Sequence, residues 1–124
     1  MKKKFQILLV LILCTRLNAI NDNLIISESF PAKLSEFGFF LDDSAQIPHE
    51  NVIPYELISI LFSDYSYKQR WVYVPNNQKA QYEENWVFNF PVGSALIKTF
   101  YYPIDERNPD LGMNLLETRL FLRK

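Results

Sequence analysis

The chain of 124 residues has one cysteine, one histidine and three glycines. These scarcities exclude whole classes of chemistry. A single cysteine, Cys14, closes no intramolecular disulfide, so stability has to come from packing. His49 has no second histidine or cysteine near it in the chain, whereas a zinc site needs three or four ligands. No metal site is expected. A serine triad would have to use the same His49, and there is no Gly-x-Ser-x-Gly turn to present the nucleophile. Gly38, Gly93 and Gly112 are too scattered for a phosphate-cradling loop. The chain also lacks an internal repeat, a linker and a low-complexity tract. No catalytic residue is assigned on these grounds.

What is present begins with a leader-like start. Lys2, Lys3 and Lys4 precede an unbroken apolar run, Ile7–Cys14, and Leu17-Asn18-Ala19 places a small residue before a cleavage point. Residues Met1–Ala19 are therefore read as a signal peptide and residues 20–124 as one periplasmic or secreted domain. The run is too short to span a bilayer, which takes about 20 apolar residues, so no transmembrane helix is expected in the mature form. A lipid anchor at Cys14 is disfavoured, because Leu13 stands where a lipobox wants a small residue. All 14 acids lie after the leader, against nine remaining bases, for a net charge of −5 on residues 20–124. A mildly acidic domain without a basic run is poorly suited to nucleic acid.

The fold class expected is mainly β, a partial antiparallel, sandwich-like sheet with a short N-terminal helix. Trp86, Phe88 and Phe90 alternate with Val87 and Asn89, the period of a strand. Gly93-Ser94 reads as a turn. Leu96, Lys98, Phe100 and Tyr102 then share one face, with Ala95, Ile97, Thr99 and Tyr101 on the other. Together these predict a central hairpin over Trp86–Pro103, covered on both faces. Arg70–Val74 and Leu115–Leu122 read as further strands. Pro31 suits the first turn of a helix over Ala32–Phe37, ended by Gly38. Leu24-Ile25-Ile26 is read as a strand or tether, and Asp42–Asn51 as a loop. Val52–Tyr67 fits either a helix or a buried extended segment, with a turn at Ser63-Asp64-Tyr65.

Six charged residues stand between large apolar ones: Asp64, Lys68, Arg70, Lys98, Glu117 and Arg119. An unpaired buried ion costs several kcal/mol, so each needs a partner or a route to solvent. Lys98 is expected to snorkel outward or to meet Glu117 or Asp64. Glu117 and Arg119, two apart, share a strand face. The functional reading is a polar cleft for an anionic or carbonyl-bearing ligand. The structural reading, which is the default, is an ion-pair network that fixes strand register. A glycosidase-like pair drawn from Asp64 and Glu117 has no support in sequence spacing. The pairs Tyr65/Tyr67 and Tyr101/Tyr102 are core aromatics by default, and sugar-stacking residues only on an exposed face.

Four segments, LSEFGFF (Leu34–Phe40), PYELISILFSDYSYKQRWVYVP (Pro54–Pro75), FPVGSALIKTFYYP (Phe90–Pro103) and LLETRLFL (Leu115–Leu122), occur in an order that resembles a family of uncharacterised secreted bacterial proteins. Members of that family often carry or neighbour a c-type cytochrome domain. Two departures stand out. Family members continue past the ETRL strand, and this chain has no Cys-x-x-Cys-His haem attachment site. The resemblance implies an N-terminal fragment or split module, incomplete at its C-terminus, whose last strand exposes an unpaired edge. It implies no cofactor in this chain, with haem only in a separate domain or partner protein. The expected role is an accessory module of a cytochrome-associated secreted system. One alternative is a severed piece of a periplasmic oxidoreductase or hydrolase bearing Lys98, Arg70 and Glu117. Another is a carbohydrate-binding or adhesive domain that uses exposed tyrosines.

Overall fold

The structure, a computed structural model, describes residues 19–124. The leader reading and Cys14 lie outside these residues, apart from Ala19. The fold is mainly β, with two antiparallel sheets and one short helix. The first sheet pairs β1 (Phe40–Asp42) with β2 (Ile47–Pro48). The second runs in the order β3 (Val52–Pro54), β4 (Tyr67–Tyr73), β5 (Ala95–Pro103), β6 (Met113–Leu122). No helix among the described residues is long and apolar enough to cross a membrane.

The period-two pattern decides which side of β5 is buried. Ala95, Ile97 and Thr99 point into the core, opposite Tyr73, Trp71 and Gln69 on β4 and opposite Leu122, Leu120 and Thr118 on β6. The smaller sheet packs over this face, with the Phe40 ring edge-on to Trp71 at 5.0 Å, which makes the partial sandwich. Phe37, Phe39 and Tyr73 continue the aromatic core, and Ile25 is fully buried with them. A short polar chain joins the layers. Thr99 Oγ1 donates to Gln46 Oε1 at 2.6 Å and lies 2.8 Å from Thr118 Oγ1. Both Thr99 and Gln46 are buried.

The predicted central hairpin does not form. Trp86–Phe90 makes no ladder with β5; its main chain is held by a bridge between Gln81 and Asn89 and by the Trp86 N–H donating to the Glu83 carbonyl. β5 takes β4 and β6 as partners, through seven and nine register pairs. Those ladders bury Ala95 and Ile97, which a short arm ended by Pro91 cannot match. The turn itself is present. Ser94 N–H donates to the Pro91 carbonyl, and Gly93 holds φ 88°, a conformation that suits glycine. Gly93 and Ser94 then bond to the main chain of Arg123 rather than to a hairpin mate. The second face of β5 is half-buried, and no second sheet among the described residues opposes it.

Four local expectations change as well. Leu24-Ile25-Ile26 belongs to a helix, α1 (Asp22–Ile26), because Asn21 caps its first turn and Asp22 suits its N-terminal end. The helix expected over Ala32–Phe37 is a single 3₁₀ turn, Leu34–Phe37, closed as foreseen by Gly38 at φ 74°. The Asp42–Asn51 loop contains β2. In the Val52–Tyr67 stretch only β3 and Tyr67, the first residue of β4, are regular. Leu57, Ile58, Ile60, Leu61 and Phe62 are exposed, neither a helix face nor a buried strand. The Ser63–Tyr65 turn is present, with Asp64 and Tyr65 at positive φ and Ser66 N–H donating to the Ser63 carbonyl.

Candidate functional site

The face of the large sheet turned away from the core collects charge. Antiparallel register sets Arg70, Lys98 and Arg119 side by side in one row across β4, β5 and β6. The neighbouring row is Lys68, Phe100 and Glu117. Five of the six sequence-predicted site residues therefore share one patch, with the Phe100 ring as its floor. Lys98 Nζ lies 4.7 Å from the ring centroid, the Arg119 guanidinium carbon 4.8 Å and Lys68 Nζ 5.9 Å. These distances are in the range where the ring quadrupole attracts a cation.

The sixth residue, Asp64, is elsewhere. It is exposed in its turn, and its contribution is a main-chain carbonyl that accepts the Tyr102 hydroxyl at 3.0 Å. No carboxylate meets Lys98 at ion-pair distance among the described residues, so its expected partner is replaced by the face of Phe100. Glu117 instead pairs along its own strand with Arg119, at 2.5 Å. Arg70 is only 5% exposed and meets the exposed Glu56 at 3.8 Å. Lys68 Nζ donates to the Leu61 carbonyl at 2.6 Å.

The patch thus sets four cations against two carboxylates, in a domain whose overall charge is negative. Partial burial pushes the Lys98 ammonium below its usual range, and Arg70, Lys68 and Arg119 push it further in the same direction. Glu117 offsets part of that. The chemistry available is anion binding, by point charges and two guanidinium groups, over an aromatic floor.

Lys68 and Arg70 also stand at the rim of a groove of about 830 Å³ walled by Leu61, Phe62, Tyr65 and Tyr67. The Tyr67 and Tyr101 rings lie 5.6 Å apart beside it. Burial first, then Tyr67 and Glu56, raises the Tyr101 phenol above its ordinary value. Tyr101 and Tyr102 are half-buried, so they do not form a flat exposed row. The exposed aromatics include Phe62, Tyr65, Tyr82 and Trp86 in irregular segments, Tyr67 at the start of β4 and Phe121 near the end of β6.

Sequence reasoning placed Phe100 on the same strand face as Lys98 without giving it a role. It missed Glu56 and the Leu61 carbonyl, which sit in a stretch with no periodic signal. Among the described residues there is no group of three or more His, Cys, Asp or Glu side chains placed to hold a metal ion. Compared with protein-family models, curated proteins and solved structures, the chain matches none of the three.

Proposed function

We propose that this chain is an exported, non-catalytic binding module that holds an anionic group on its Phe100-centred patch, working beside a protein that carries a c-type cytochrome domain. The observation that carries the binding role is the convergence of Lys68, Arg70, Lys98 and Arg119 on one half-buried sheet face. A purely register-fixing network would balance its charges, and this one leaves two positive charges over. The adjoining groove takes an apolar body, so the ligand class is a carboxylate with a hydrophobic or aromatic tail. Export is supported by the basic-then-apolar character of Met1–Ala19. The cytochrome association is supported by the four-segment resemblance, and any haem belongs to the partner.

The test is a nuclear magnetic resonance titration of residues 20–124 with 4-phenylbutyrate, and with 4-phenylbutanol as the uncharged control. Amide shifts clustered at Lys68, Arg70, Lys98 and Arg119, seen with the acid and absent with the alcohol, are expected. Equal shifts from both compounds, or none from either at millimolar concentration, would overturn the anion-binding role.

A further inference from the structure

The two edges of the large sheet are unlike. At one end β3 is three residues long and closes with Pro54, which limits pairing. At the other, β6 runs for ten residues without proline or glycine, and nothing among the described residues pairs with its outer side. Leu115, Leu116 and Phe121 are exposed on it, at 37%, 54% and 62%. A long, apolar, unpaired edge is a template for another strand.

The order of residues on β6 says which strand fits. Leu116-Glu117-Thr118-Arg119-Leu120 reads as leucine, acid, threonine, base, leucine, so it is complementary to itself when reversed. If a second β6 runs antiparallel with Thr118 opposite Thr118, Glu117 of each copy faces Arg119 of the other. Leu116 then faces Leu120, and Leu115 approaches Phe121. Residues directly opposite in an antiparallel pair lie on the same face, so the four charges alternate in sign around the two-fold axis. A two-fold interface demands this self-complementarity. The register between β5 and β6 slips by one residue between Phe100 and Tyr101, so the regular part of the new ladder is centred on Glu117–Arg119 and does not extend through Met113.

We infer that β6 is a self-association edge, where two copies of this chain join antiparallel about Thr118 into one continuous eight-stranded sheet. The inference is separate from ligand binding. It rests on the β6 backbone edge and its residue order, and it stands whether or not the cationic patch takes an anion.

Sedimentation velocity of residues 20–124 across a concentration series is the test. Wild type is expected to move from monomer to dimer. Glu117→Arg places like charges opposite each other at both symmetric positions, and so does Arg119→Glu. Each single variant should therefore associate roughly tenfold more weakly or worse. An equimolar mixture of the two variants restores opposite charges at every position, and it should dimerise as a hetero-pair. Circular dichroism confirms that each variant is folded. A wild type that stays monomeric up to about millimolar concentration would leave the edge to another segment or protein and overturn the inference. So would a mixture that associates no better than its components.

Discussion

Replacing Lys98 with methionine isolates the cost of the cationic row. Lys98 stands between Arg70 and Arg119, so it takes part in two like-charge cross-strand pairs. Each such pair costs about 0.2–1 kcal/mol, or about 1 kcal/mol for the two. Lys98 Nζ regains part of this from the Phe100 ring at 4.7 Å, worth about 0.5–1 kcal/mol at a partly exposed site. Methionine keeps the aliphatic stem and offers a sulfur–aromatic contact of about 0.3–1.5 kcal/mol in exchange. Lys98→Met is therefore expected to be neutral or to stabilise the fold by up to about 1 kcal/mol. For a domain of this size that is a rise in Tm of up to roughly 5 °C.

Thermal melts followed by circular dichroism measure the effect. Salt identifies its cause. The gain should be larger in about 0.01 M salt, where the Debye length is about 30 Å, than in about 0.5 M, where the repulsion is screened. A loss of more than about 1 kcal/mol would refute the reasoning, because that is the signature of removing one member of a tight ion pair. The same variant should weaken 4-phenylbutyrate binding while the fold is kept.

Two other perturbations probe the frame that holds the site. Gly38 and Gly93 both sit at positive φ, but a Cβ at Gly38 would press on main chain, 3.2 Å from Ile20 Cα and, where Ala19 is retained, 2.6 Å from its carbonyl oxygen, whereas at Gly93 it would meet the Pro75 side chain at 3.0 Å. Gly38→Ala is expected to cost about 2–4 kcal/mol and Gly93→Ala about 1–2 kcal/mol in urea denaturation; equal losses would contradict the difference in contacts. Tyr73 is buried and donates its hydroxyl to Asp22 Oδ1 at 2.6 Å, and burial, aided by that carboxylate, raises the phenol above its ordinary 10.0. The folded state then keeps a proton that the unfolded chain loses, so stability falls as the pH rises past 10. Tyr73→Phe should lower stability by about 1 kcal/mol at pH 7 and make the alkaline decline shallower; an unchanged decline between pH 9 and 11 would refute the assignment.

Much of this was legible in the residue order, and the failures have identifiable causes. Strict alternation in Ala95–Tyr102 marked β5 and put Lys98 beside Phe100 on one face. The same rule set Glu117 beside Arg119. A period of two says which face a side chain takes, but not which strand lies alongside. That gap produced the hairpin expected at Trp86–Phe90, an arm that alternates correctly and still loses to two longer ladders. Register brought Lys68 and Arg70 level with Phe100 and Lys98, and nothing local encodes it. Leu24-Ile25-Ile26 was read as a strand or tether because three adjacent apolar residues show no helical period, and the group that makes it a helix is the cap at Asn21. Glu56 escaped notice because it belongs to a stretch held by single contacts rather than by a repeating pattern.

The buried chain from Gln46 through Thr99 to Thr118 bears on how the molecule comes apart. Moving the smaller sheet by one residue over the larger would take the Gln46 amide oxygen from the Thr99 hydroxyl and leave Thr99 with Thr118 alone, at a buried site. The layers are therefore keyed at one position, and intermediate sliding arrangements are penalised. Loss of the small sheet should expose Trp71 and Ile97 at once, so the two layers are expected to melt in a single cooperative step.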